Sequence, residues 1–282
     1  MRAKIWGCRG SLPTPGSDTT RYGGNTSCVE ITLDDGSVAI LDAGTGMRDL
    51  GLKLARYEPT SIHVLLTHLH LDHIQGLGFF APLWELPHVD LHVWGPRSDD
   101  RSLEARIEKY LSPPLFPVQF DDARTKPTFH DVPEGGWSLG GAQVTALPVS
   151  HPGPTLGYRF EMDGSSLCYI PDHEPALDGD VRTADPSSIS GYGIARGSDV
   201  LLHDCQLTED EYPTKVGWGH SSIADAVAFA QVCEVGKLVM FHHDPLHRDE
   251  DLDAMLVRAQ KLWDRDDEQP VLAYEGLEID LP

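Results

Sequence analysis

Residues 67–76 read Thr-His-Leu-His-Leu-Asp-His-Ile-Gln-Gly, directly after the run Ser61-Ile62-His63-Val64-Leu65-Leu66. His68, His70, Asp72 and His73 thus place three imidazoles and a carboxylate within six positions. Imidazole nitrogen and carboxylate oxygen are the usual partners of zinc and its neighbours. A polar turn after a strand is the plainer alternative, since the chain has 14 histidines to distribute. Chance rarely packs four donors so closely, and the cluster reads as half of a metal site.

The other half has to come from elsewhere in the chain. Val144 to His151 ends a β-like run with a histidine, Leu167 to Asp172 ends another with an aspartate, and Leu238 to His242 ends a third. Each is weak alone, because a histidine after a strand is more often a hydrogen-bonded loop residue; beside the cluster they complete a constellation. His243 and His247 follow His242 closely and could replace it if the strand boundary slips; His242 is preferred because it ends the apolar run. His173 beside Asp172 carries the same ambiguity. Two further strand-end or helix-start segments fit: Leu41-Asp42-Ala43-Gly44-Thr45-Gly46, and Gly217-Trp218-Gly219-His220-Ser221-Ser222 opening a helix. Arg9, Arg21 and Asn25 lie in a glycine-rich loop and could touch a substrate, although polar surface loops are common.

These residues need strands to deliver them to one place. Predicted strands are Lys4 to Trp6, Cys28 to Leu33, Val38 to Leu41, Ile62 to Leu66, Asp90 to Val93, Gln143 to Pro148, Thr155 to Glu161, Ser166 to Ile170, Val200 to Asp204 and Leu238 to Phe241. Helical spacing of apolar residues covers Ser102 to Tyr110, Ser221 to Val232 and Asp249 to Trp263, the second with Ser221 or Ser222 as N-cap. Leu111 to Glu134 carries five prolines and no period, predicting an inserted surface loop near 111–134 within one domain spanning 1–282.

Composition limits the function. With 40% hydrophobic and 23% charged residues the 282-residue chain has ordinary globular make-up. Its 44 acidic and 22 basic residues give a formal charge of -22, which repels polyanions unless a local basic patch compensates, and none is apparent. The first residues lack a secretory apolar region and no stretch approaches the roughly 20 apolar residues of a membrane span, so a cytoplasmic protein with no membrane partner is expected. Cys8, Cys28, Cys168, Cys205 and Cys233 are odd in number without C-x-x-C spacing, which suggests core thiols.

Asp42 in ILDAGTG, His68-x-His70-x-Asp72-His73, then His151, Asp172 and His242, in that order, resemble the metallo-β-lactamase-fold hydrolases over nearly the whole chain. The opening Gly7-Cys8-Arg9-Gly10-Ser11-Leu12-Pro13 and the GHSS segment at His220 are more particularly similar to the phosphodiesterase branch that includes tRNase Z and small cyclic-nucleotide phosphodiesterase-like proteins. The resemblance implies an α/β fold, an αββα sandwich of two mixed β-sheets with outer helices. It implies two divalent metal ions, zinc foremost, with manganese or iron also suited to a His/Asp set lacking thiolate. His68, His70 and His151 would bind one ion, Asp72, His73 and His242 the other, and Asp172 would bridge them. A bridging water would lose its proton near neutral pH and attack, while the metals clamp the phosphoryl oxygens.

Asp72 and Asp42 would share in catalysis, Asp42 by fixing the tautomer of a ligand histidine, or else it caps the glycine turn that follows. His220, ahead of a helix N-terminus, would act as general acid toward the leaving alkoxide, or else it is a capping residue only. The expected partner is a small phosphodiester such as a cyclic nucleotide, with no nucleic-acid polymer, since a large RNA needs a basic arm. A homodimer is left open. The alternatives are a carbon-centred ester hydrolase (lactonase, thioesterase or β-lactamase) on the same metal pair, and a non-catalytic metal-binding regulatory protein.

Overall fold

Period-two alternation along the strands sorts the apolar side chains of this computed structural model into three layers. Residues 1–177, 179–265 and 268–281 are described. The first sheet contains β1 (Arg2–Gly7), β2 (Cys28–Thr32), β3 (Val38–Leu41), β4 (Ser61–Leu65), β5 (Asp90–Gly95), β6 (Thr128–Asp131) and the last strand, β14 (Glu278–Asp280). The second contains β7 (Trp137–Leu139), β8 (Ala142–Pro148), β9 (Leu156–Met162), β10 (Ser165–Ile170), β11 (Val200–Asp204), β12 (Lys237–Phe241) and β13 (Val271–Leu272). Their orders are β14-β1-β2-β3-β4-β5-β6 and β13-β12-β11-β10-β9-β8-β7. Both sheets are mixed: β3 to β6 and β10 to β13 pair in parallel, while the remaining ladders are antiparallel.

Leu167 and Tyr169 of β10 face the first sheet and join Ile5, Ile31, Leu41, Phe160, Leu202 and Phe241 in the layer between sheets. Cys168 and Ile170 point the other way, packing with Leu201, Met240, Phe229 and Leu252. That outer layer is covered by α5 (Tyr192–Ala195), α6 (Ile223–Val232) and α7 (Asp249–Leu262). Across the molecule, Ile40, Ile62, Val64 and Val93 meet α1 (Met47–Tyr57) and α4 (Leu103–Tyr110) through Leu50, Leu54 and Ile107. The result is the expected αββα sandwich. Strands β10 to β12 are buried on both faces, which is why residues 167–170, 200–202 and 238–241 read as unbroken apolar runs.

The segment 111–134 departs from a surface loop. Leu111, Phe116, Phe120 and Ala123 are buried in the first sheet's outer layer, and Thr128–Asp131 forms the edge strand β6, paired in parallel with β5. Its prolines break periodicity without preventing its aromatic residues from covering the sheet. Strands β3, β4, β8, β10, β11 and β12 deliver their C-terminal ends to one edge of the sandwich, where an open α/β sheet places its chemistry.

Candidate metal centre

Each cluster residue leaves the end of a strand. Beyond β4, Thr67 and His68 lead into α2 (Leu71–Ile74), a single turn whose first residue follows His70 and which carries Asp72 and His73. His151 lies three residues after β8, Asp172 two after β10, and His242 directly after β12. Asp42 and His242 have left-handed backbones, φ +58° and +60°. Such a conformation is uncommon for non-glycine residues, Asp and His being among the less averse. Here it turns the chain sharply out of β3 and β12 as each side chain enters the centre.

Asp172 divides its two oxygens between two groups of imidazoles. Oδ1 lies 3.0 Å from His73 Nε2 and 3.3 Å from His242 Nε2. Oδ2 lies 3.8 Å from His68 Nε2 and 3.6 Å from His151 Nε2. Asp72 Oδ2 stands 3.2 Å from both His73 Nε2 and His242 Nε2, and His70 Nδ1 stands 3.2 Å from His151 Nε2. The donor atoms of His68, His70 and His151 converge, as do those of Asp72, His73 and His242, and those of His68, His73 and Asp172. All seven sequence-predicted ligand residues are therefore gathered around one carboxylate.

The surrounding residues orient this set. Asp42 Oδ2 accepts from His73 Nδ1 at 2.8 Å and from the Tyr169 hydroxyl at 3.0 Å, while Oδ1 accepts from the Thr67 amide at 2.8 Å. A donor at Nδ1 leaves the lone pair of His73 on Nε2, facing the cluster. Gly219 O does the same for His151 Nδ1 at 2.9 Å. The Ser11 amide donates to Asp72 Oδ2 at 2.8 Å.

These groups fit divalent cations. His68 Nε2 and Asp172 Oδ1 are buried without a hydrogen bond, an arrangement that costs free energy unless another partner is supplied. Burial, with His73 nearby, holds His68 well below the ordinary histidine range, and burial likewise lowers His70 and His151, so these rings stay neutral and able to ligate. Burial opposes charge on Asp172, yet His242, His73 and His68 hold its carboxyl well below the usual range. Burial also opposes charge on His73, but Asp172, Asp72 and Asp42 raise it well above the ordinary value. The same field that would protonate His73 favours a cation in its place.

Sequence reasoning passed over Asp204, which ends β11 as His242 follows β12. Its Oδ2 accepts from His220 Nδ1 at 2.7 Å and its Oδ1 from the Ser221 amide at 2.9 Å. Burial acts to lower the His220 pKa, but Asp204 foremost, then Asp172 and Asp72, push it up to about 9. The His220 ring lies 5.2 Å, centroid to centroid, from both His151 and His242, placing it beside the cluster. The helix N-cap is Ser222, whose Oγ accepts from the Asp225 amide at 3.1 Å.

Other candidates sit elsewhere. His243 Nε2 bonds Ala273 O at 2.9 Å, His173 Nδ1 meets His203 Nε2 at 2.9 Å, and His247 Nε2 meets Glu211 at 3.0 Å. Arg9 is buried and spans loops through Gly23 O at 2.8 Å and His247 O at 2.7 Å. Arg21 pairs with Asp253 at 2.7 Å, and Asn25 Nδ2 with Glu275 at 3.1 Å. All three hold the N-terminal loop in place.

A family model described as the beta-lactamase superfamily domain matches residues 39–243, from within β3 to the residue after His242. The chain belongs to the beta-lactamase superfamily. Within this superfamily it is 25% identical over 260 residues to a Ribonuclease Z of Myxococcus xanthus, covering 78% of this chain and 80% of that one. Its fold is shared with the metallo-beta-lactamase fold protein YhfI from Bacillus subtilis, at TM-score 0.70 and 17% identity, covering 99% and 98% of the two chains. A diphosphatase from the PhnP family shares it at TM-score 0.67 and 19% identity, covering 100% and 98%. This superfamily member is a metal-dependent hydrolase with phosphodiesterase-like relatives. Among the described residues no helix is long and apolar enough to cross a membrane.

Proposed function

We propose that the protein hydrolyses a small phosphodiester, such as a cyclic nucleotide, at a centre of two divalent metal ions, with zinc the leading candidate. His68, His70 and His151 would hold one ion, Asp72, His73 and His242 the other, with Asp172 shared. When bound, the ions supply an activated water and neutralise charge on the phosphoryl oxygens.

The observation that carries this reading is the Asp204–His220 pair, 2.7 Å apart, beside the ligand cluster. Nδ1 donates to the carboxylate, which leaves Nε2 to carry a mobile proton. The Asp204 carboxylate raises the pKa of the ring, which favours keeping that proton at neutral pH. Such a group suits protonation of a departing alkoxide, a task worth roughly 10²- to 10⁴-fold in rate. Asp42 fixes the His73 tautomer, and Gly219 O fixes that of His151, so neither ring has to reorganise during turnover.

An RNA substrate is the second reading, favoured by the similarity to a protein named Ribonuclease Z. The formal charge of -22 weighs against a polyanion, since RNA binding draws on clustered lysines and arginines. The deciding experiment compares kcat/KM on a cyclic nucleotide, bis(p-nitrophenyl) phosphate, a precursor tRNA, a lactone and a β-lactam. Preference for either small diester over the carbon esters and the RNA supports the proposal. Preference for the lactone or β-lactam, or for the tRNA, overturns it.

A further inference from the structure

The turn that carries His220 also carries an exposed indole. Trp218 is 61% exposed, whereas His220, two residues later, is 9% exposed. Exposure on a loop would mean little if the backbone were loosely held, but this turn is fastened. Glu174, 1% exposed, accepts from the Gly217 amide through Oε1 at 2.8 Å and from the Gly219 amide through Oε2 at 2.8 Å. The Tyr212 hydroxyl donates to the same carboxylate at 3.0 Å, and the Trp218 amide donates to Lys215 O at 3.0 Å. Gly217 and Gly219 take φ +84° and +87°, a region glycine enters without steric cost. Gly219 is pressed against the centre: a Cβ there would stand 2.2 Å from His151 Nδ1. The Trp218 Cα is one trans peptide, about 3.8 Å, from that glycine's.

Two more exposed apolar side chains adjoin residues of the centre along the chain. Leu71, between His70 and Asp72, is 62% exposed, and Leu12, next to the Ser11 that donates to Asp72, is 60% exposed. Lys215, on the same turn, is engaged by Asp244 at 3.1 Å. With the chain strongly acidic, affinity for the organic part of an anionic substrate has to come from contact rather than from long-range attraction.

We infer that Trp218 is the face on which the substrate's flat heteroaromatic group, a nucleobase, stacks while its phosphoryl group meets the ligand cluster. The inference rests on the phosphodiesterase reading and narrows its substrate class to nucleotides. Stacking on an aromatic side chain tolerates every base, so no hydrogen-bonding motif for a particular base is required. The backbone on either side of the indole is held by Glu174 before substrate arrives, which lessens the ordering cost of binding.

The test compares adenosine 5′-monophosphate with ribose 5-phosphate, which share a phosphate and a sugar but not a base, by calorimetry on the metal-loaded protein and on its Trp218→Ala and Trp218→Phe variants. The expected result is tighter binding of the nucleotide by roughly 10-fold or more, a ratio that collapses toward one in Trp218→Ala and largely survives in Trp218→Phe. Equal affinities in the unmodified protein, or a ratio retained in Trp218→Ala, overturn the inference. So does a Trp218→Ala variant that keeps the ratio and instead changes the molar mass in light scattering, which assigns the face to a second copy of the chain. Binding is read without turnover, whereas hydrolysis of bis(p-nitrophenyl) phosphate by the unmodified protein tests the phosphodiesterase reading separately. A protein that cleaves that ester yet binds both ligands equally loses only the stacking assignment.

Discussion

Asp172 is the residue on which both halves of the centre depend, because each of its oxygens faces a different pair of imidazoles. Asp172→Ala should lower the content of both metals, read by elemental analysis; two tightly held ions with full activity would sink the shared-ligand assignment. The His220 ring packs on His151 and His242, and one of its nitrogens lies within 4.8 Å of the ligand atoms of His151 and Asp172, while its Nδ1 is anchored on Asp204. His220→Ala should keep the metals and lower kcat by roughly 10²-fold or more on a diester with a poor alkoxide leaving group. A p-nitrophenyl ester should lose less, since nitrophenolate leaves without a proton, and equal losses would point to electrostatic binding instead. The Asp204 pair also fixes a pH dependence. If His220 is the general acid, its protonated ring would be the working form; Asp204 raises the pKa of that ring above the ordinary histidine value, so activity should be present at neutral pH and lost as pH rises through the raised pKa. Asp204→Asn removes the negative charge, and the alkaline limb of the pH–rate profile should move to lower pH; an unmoved limb would separate His220 from that limb.

At the scale of elements, the proline-rich segment makes the plainest stability prediction. Phe120 is buried at 5% exposure among residues covering the first sheet. Phe120→Ala should cost about 3 kcal/mol, the lower end for large-to-small core replacement, read as a shift in the urea midpoint. A surface loop would give a change within about 0.5 kcal/mol. Composition misleads here because five prolines remove periodicity, yet neither apolar burial nor pairing along β5 needs a helical or alternating pattern. Strands β3 and β11 match their sequence bounds residue for residue, since their aliphatic runs end abruptly at polar residues, Asp42 after β3 and His203-Asp204 within β11. The strands β13 and β14, of two and three residues, are too short to show alternation and exist through partners far away in sequence. The seven-residue constellation was legible because strand-end donors stand out against apolar runs. Asp204 was not, although it has the same local signature, because its partner lies 16 positions on and only the fold decides which strand-end carboxylate faces which ring.

For the whole molecule, the formal charge of -22 sets how ionic strength acts. Added salt screens repulsion between an acidic protein and an anionic diester, so KM should fall as salt rises from about 0.01 to 0.15 M, where the Debye length shrinks from roughly 30 to 8 Å. An RNA held by counterion release would bind more weakly over the same range, so a KM that rises with salt would favour that substrate. The ligand cluster also joins distant parts of the chain, since His68 and Asp72 follow a strand of the first sheet whereas Asp172 and His242 follow strands of the second. Bound cations would therefore act as a clip that closes a loop from residue 68 to residue 242, withdrawing closure entropy from the unfolded chain as a long cross-link does. Each ion present at a thousand times its dissociation constant would add about 4 kcal/mol to stability. Chelation should accordingly lower Tm and hasten amide exchange first at the strand ends around Asp42, Asp172 and His242, leaving the layer between the sheets protected. The centre would then be a hinge pin of the sandwich as well as its reactive edge, and a metal-starved cell would hold a population of this protein that is loosened at that edge while still folded.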